Sequence, residues 1–136
     1  GGVAVVGLRA EEGVRPGTPN DVELIKKLVG SEGMNPLFLD PKNFLIAHDG
    51  EEVMGVGQIR ELGRCYELAS LVVQPECRHQ GIGTALVTEL LDRHKGRFEE
   101  KGKVPPVLLL TLKSQAGFYG RMGFTELPLS MAPLPM

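Results

Sequence analysis

The chain reads as a single α/β (α+β) domain: a mixed, mostly antiparallel sheet with one parallel strand pair, flanked by helices. Three observations predict this. Three strand-like runs follow one another across the short turns Asp49-Gly50 and Gly63, as in an antiparallel meander. A helical pattern then separates the third run from a fourth at residues 107–112, and a strand–helix–strand connection sets those two strands parallel. The 136 residues, 42% apolar and 24% charged, suit one soluble globule that buries roughly two thirds of its unfolded surface.

The elements follow in order. Residues 3–8 are an apolar run fit for an extra edge strand or an ordered tail. Val14-Arg15-Pro16 is a short strand that its proline ends. Thr18-Pro19-Asn20-Asp21 is a helix start, with Thr18 as N-cap, Pro19 at the first helical position and Asp21 at the third. Val22, Ile25, Leu28 and Val29 share one helical face, and Gly30 supplies the stop. Residues 31–43 hold two prolines and Gly33 and read as a loop with room for one short helix. Residues 44–48 form a strand, and residues 53–59 return from the Asp49-Gly50 turn, thinned by Gly55 and Gly57. Residues 66–74 are more continuously apolar, as a central strand should be.

A helix is expected from Ile82 to about Lys95, with Arg93, His94 and Lys95 at its negative end and Gly96 as cap. The alternating charges of residues 96–106 suit a solvated connection, and residues 107–112 read as a buried strand. Residues 114–122 make a short helix with Ser114 as N-cap and Gly123 as stop, and Phe124 begins a last strand. The three prolines of the tail 127–136 forbid a long regular strand there. One domain spanning residues 3–136 accounts for the chain.

Bulk properties exclude several classes. A formal charge of −2 argues against a general nucleic-acid binder, and no apolar stretch reaches membrane-span length. No secretory signal opens the chain, and Gly1-Gly2 reads as a fusion scar or cut site, with the natural N-terminus missing. Cys65 and Cys77 are too few and too separated for a zinc site or a redox pair, so a reducing, cytoplasmic interior is the simplest expectation, with organelle targeting left open. Cys77 is expected to be exposed beside a turn. His48, His79 and His94 share no ligand spacing, so no metal is expected.

The chemistry concentrates at residues 72–86. An apolar strand ends at Pro75, and Arg78-His79-Gln80-Gly81-Ile82-Gly83 leads into a helix whose apolar face begins Ile82, Ala85, Leu86, Leu90. Unpaired N–H groups and the positive dipole end at such a helix start suit a phosphate, with Arg78 as an added cation. A P-loop is excluded because no Gly-Lys-Ser/Thr occurs. A dinucleotide fingerprint fails at its third glycine, where Leu86 stands. The run resembles the Arg/Gln-x-x-Gly-x-Gly/Ala signature of the GNAT superfamily of acetyl-CoA-dependent N-acetyltransferases. Phe118-Tyr119-Gly120-Arg121-Met122-Gly123-Phe124 resembles that family's Phe-Tyr-x-x-x-Gly-Phe ending, in the right order.

The resemblance implies a twisted sheet whose strands at residues 68–73 and 107–112 splay apart to admit acetyl-CoA. It implies that Leu71, Val72 and Val73 line the cofactor, with Val72 or Val73 donating to the thioester carbonyl and then to the oxyanion that replaces it. Pyrophosphate would rest on Arg78, His79, Gln80, Gly81, Ile82, Gly83 and Thr84. Tyr119 would be the general acid at the leaving thiolate. Glu67 is the candidate base, on a strand where burial raises a carboxyl pKa, with His48 and Glu61 as alternatives. The family's Asn after the later strand is replaced here by Lys113-Ser114-Gln115, and Ser114 is its stand-in. The expected activity is direct acetyl transfer to a primary amine of a small molecule or peptide, in a ternary complex. The alternative is a non-catalytic acyl-CoA sensor. No nucleic-acid or membrane partner is expected. The proline-rich tail leaves the last strand short, truncated or completed by a partner chain, so a homodimer is among the expectations.

Overall fold

The computed structural model describes residues 12–37, 39–111 and 113–126. The strand expected at 3–8 and the tail 127–136 lie outside the described residues. Strand β1 (Glu12–Pro16) leads through a 3-10 turn into helix α1 (Val22–Ser31). Strands β2 (Phe44–Asp49), β3 (Glu52–Leu62) and β4 (Cys65–Val73) follow as the meander, then helix α2 (Ile82–Glu99), strand β5 (Val107–Leu108) and helix α3 (Ala116–Arg121). The sheet order is β1-β2-β3-β4-β5, antiparallel except for the parallel β4/β5 pair.

The alternation of β2 explains how two helices share one sheet. Leu45 and Ala47 face α2 and join Met54, Ile59, Leu68, Ile82, Leu86, Val87 and Leu90 in one core cluster. Phe44 and Ile46 face α1 and join Ile25, Leu28, Val29, Val56 and Val72 in the other. Each such buried aliphatic contributes about 1.5–3 kcal/mol relative to exposure. The start of α1 is clamped to β1. Asp21 accepts two hydrogen bonds from the Arg15 guanidinium (2.8 and 2.9 Å), and its Oδ2 also accepts from the Thr18 N–H (2.8 Å) and hydroxyl (3.0 Å).

Several boundaries differ from the sequence reading. Gly30 lies inside α1, and the left-handed residue after the helix is Gly33, at φ +74°. Helix α2 passes through Gly96 to Glu99. The buried His94 stacks edge-on with Tyr66 and Phe98, ring centroids 4.9 and 5.1 Å away, and its Nε2 lies 2.8 Å from the Pro105 carbonyl. These contacts hold the last helical turn, so one interior glycine, costing about 1 kcal/mol, does not end it. Helix α3 begins after a 3-10 turn with Gln115, not Ser114, at its N-cap, while Gly123 (φ +96°) does follow its end. Phe124 starts no strand within residues 124–126.

The largest difference positions the site. The expected buried strand at 107–112 pairs with β4 only through Tyr66↔Val107 and Glu67↔Leu108, and Leu110 is 70% exposed. Beyond Glu67 the outer edge of β4 has no neighbouring strand among the described residues. The two parallel strands meet at one end and part at the other.

Candidate active site

The open edge of β4 runs toward the start of α2. Strand backbone groups point alternately to the two edges, and N–H and C=O of one residue share a side. The Gln74 N–H donates to the Met54 carbonyl on β3 (2.8 Å), so the Val73 N–H faces the other way. The Val73 carbonyl confirms that direction by accepting from Arg78 Nε (3.1 Å), away from β3. Val73 therefore presents its N–H at the open edge. Val72 turns inward: it is opposite Val56 in the ladder, and its side chain sits in the α1-side core.

This alternation depends on a bulge. The pairs Val56↔Val72 and Gln58↔Ala69 leave Ser70 and Leu71 together opposite Gly57. Ser70 has φ +55°, a left-handed conformation that costs a non-glycine residue of order 1 kcal/mol. A Cβ on Gly57 would stand 3.0 Å from the Leu71 side chain and 3.3 Å from Leu90, so glycine makes the room that the bulge needs. Gln58, 1% exposed, donates from its amide to the Ser70 hydroxyl (2.9 Å).

Past Pro75 the chain turns with His79 and Gly81 both at positive φ, and α2 starts at Ile82 with no side-chain cap. The first helical bond runs from the Ala85 N–H to the Gly81 carbonyl (3.0 Å). Among the described residues, the backbone N–H groups of Gln80, Gly81, Ile82, Gly83 and Thr84 have no acceptor. His79, Gln80 and Thr84 are exposed there. Such a cluster of free donors at a positive helix end suits an anion. Arg78 stands beside it, and its Nη2 is paired with Glu32 at the end of α1. Cys77, expected to be exposed, is buried, and burial, with lesser help from neighbouring acids, pushes its thiol pKa up, which disfavours the thiolate.

Three elements converge on the gap. A Cβ on Gly83 would lie 3.6 Å from Phe118 of α3 and 3.8 Å from Val73 of β4. Tyr119, next to Phe118, is 8% exposed and lies edge-on to Phe118 and Phe124. Desolvation raises its phenol pKa, so it carries its proton throughout the neutral range, and no described group bonds its hydroxyl. Glu67 sits on the last β4/β5 rung, where the gap begins. Its Oε1 accepts from Arg60 Nε (3.0 Å) and Nη2 (2.8 Å), and Oε2 has no partner among the described residues.

The other predicted residues fall elsewhere. His48 is on β2, separated from β4 by β3, and packs near Gly13. Glu61 is exposed near the β3/β4 turn. Ser114 is exposed in the 3-10 turn before α3. Sequence reasoning missed Gln58, Ser70 and Arg60, and it read Glu32 only as a loop acid that hints at a cationic acceptor, not as the partner of Arg78. Gln58 and Arg60 carried a signal, as polar side chains in strand positions next to apolar neighbours. Among the described residues no group of three His, Cys, Asp or Glu side chains is placed to hold a metal ion, and no helix is long and apolar enough to cross a membrane.

The short parallel pair and the uncapped helix start leave an open strand edge beside a cluster of free backbone donors. A family model for the acetyltransferase (GNAT) domain matches residues 40–126, well over half of the chain, and the chain belongs to that family. It is similar to Rv2747 of Mycobacterium tuberculosis, solved with CoA and NLQ, at 27% identity and TM-score 0.69, covering 85% of this chain and 73% of that one. It also resembles in fold the N-acetylglutamate synthase of Neisseria gonorrhoeae, solved with CoA and L-arginine, at 18% identity and TM-score 0.70. That match covers 93% of this chain but only 30% of the synthase. A GNAT-family acetyltransferase of Staphylococcus aureus Mu50 aligns at 16% identity and TM-score 0.70, over 90% of this chain and 89% of its own.

Proposed function

We propose that this protein transfers an acetyl group from acetyl-CoA to a primary amine by direct attack in a ternary complex. One observation supports the reading: the outward Val73 N–H and the uncapped start of α2 lie along the open edge of β4, and α2 at Gly83 adjoins Phe118, the residue before Tyr119 on α3. Acetyl-CoA supplies the activated acyl group. The free N–H groups of residues 80–84 and Arg78 hold its pyrophosphate. Val73 donates to the thioester carbonyl and to the negative charge that grows there as the amine nitrogen bonds its carbon. Tyr119 gives its proton to the departing sulfur. Glu67 takes the amine proton at Oε2, directly or through a water, while Arg60 holds Oε1. An amine with pKa about 10.4 is neutral in only about one molecule in a few thousand at pH 7, which is why a base is needed.

The test is calorimetric titration of the full chain with CoA and with acetyl-CoA. One-to-one binding is expected, weakened about 10- to 100-fold in Arg78→Ala, the worth of a charge-assisted hydrogen bond. Equal affinity in the variant places the phosphate elsewhere. A thiol-release screen over amino acids, small amines, polyamines and peptides then identifies the acceptor. Tight binding without turnover on the whole panel replaces the enzyme by an acyl-CoA sensor.

A further inference from the structure

We propose that Gln58 is a positioning residue for acyl transfer: by holding Ser70 in the β4 bulge it turns the Val73 N–H out of the ladder and toward the acyl carbonyl. The proposal rests on the reading of the β4 edge given above. Its own basis is the register. Across the bulge each β3 residue changes its partner on β4 by one position, and a one-residue slip exchanges which backbone groups face each edge. With the bulge present, Gln74 faces Met54 and fills its carbonyl. With the bulge closed, the register of Gln58↔Ala69 would continue, and Val73 would face Met54 instead. Its N–H would then be spent inside the sheet, and the open edge would present Val72. The bulge therefore chooses the donor.

Something must hold that choice, because Ser70 at φ +55° is not a conformation that serine prefers. Gly57 gives Leu71 its space, and the buried Gln58 amide grips the Ser70 hydroxyl. A glutamine with almost no exposure, bonded to the one strained residue of the strand, has a role that an apolar residue of its volume could not fill.

The experiment compares wild type, Gln58→Met, and Gln58→Met with Ser70→Gly. Methionine keeps the volume and removes the donor. Glycine adopts positive φ unaided. Each protein is titrated with CoA and with acetyl-CoA, and amide hydrogen exchange is read at residues 73 and 74 by NMR. Gln58→Met should bind CoA within about twofold of wild type yet bind acetyl-CoA about 5- to 10-fold more weakly. Exchange protection should move from Gln74 to Val73. The added Ser70→Gly should restore both. A folded Gln58→Met protein with unchanged acetyl-CoA affinity and exchange pattern overturns the proposal, as does a loss that Ser70→Gly fails to rescue. Failure of wild type to bind CoA at all is a different result: it removes the cofactor-site reading, and this assignment with it.

Discussion

Tyr119→Phe separates chemistry from folding. The ring stays wedged between Phe118 and Phe124, and no described group is left without its hydrogen-bond partner when the hydroxyl goes. Stability should therefore change by no more than about 0.5 kcal/mol. A general acid contributes about 10²- to 10⁴-fold, but a thiol of pKa about 8.5 leaves with modest help at neutral pH. The loss in kcat should thus sit at the low end, about 10- to 100-fold, or about 1.4–2.7 kcal/mol of barrier. The assay is thiol release at saturating acetyl-CoA with the acceptor found by the amine screen, alongside calorimetry with acetyl-CoA, whose affinity should hold. The pH profile adds a second check. Burial raises the phenol above its ordinary value of about 10, so the acid form persists up to and beyond that pH. Wild type should keep its Tyr119-dependent rate to above pH 10, and the phenylalanine variant should show no such alkaline fall. An unchanged kcat at pH 7 would falsify the acid assignment and leave Tyr119 as a packing residue.

Two further substitutions test the frame around the site. In Glu32→Gln the Arg78 guanidinium loses its competing carboxylate, so CoA should bind up to about fivefold more tightly, in line with the small worth of an exposed pair. Weaker binding by the same titration would mean that Glu32 aims Arg78 at the phosphate. Asp21 is held well below the usual carboxylate range, chiefly by the Arg15 guanidinium and then by Thr18. Its folded pKa is depressed, so its stabilisation is present above the unfolded value of about 3.9 and is lost as pH falls below it. Asp21→Asn should cost about 1–3 kcal/mol in urea unfolding at pH 7, and the gap to wild type should shrink by pH 3. A gap of constant size would show that the ion pair contributes nothing.

The fold was legible where punctuation is local, and a candidate site could be picked out where its donors are consecutive. Asp49-Gly50 and Gly63 each mark a turn that the structure makes at positive glycine φ. The Arg78–Thr84 run could be read as an anion cradle because a helix start needs only its own backbone to be one. Errors appear where distant contacts decide. Gly96 does not stop α2, since Tyr66 and Phe98 pack on His94 and carry the helix past it. Apolar residues 107–112 pattern as a buried strand, yet an exposed leucine such as Leu110 and a leucine that fills a core look alike in sequence. The choice between Val72 and Val73 was beyond periodicity altogether. Period-2 reasoning assumes an unbroken ladder, and the break lies at Ser70, a residue whose type does not announce positive φ. What the sequence did hold was the second half of the device, Gly57-Gln58, a missing side chain beside a buried amide in an otherwise apolar strand. A polar residue that a core strand tolerates needs a partner on the next strand. In this sheet that partner is the bulge that selects which backbone N–H faces the gap.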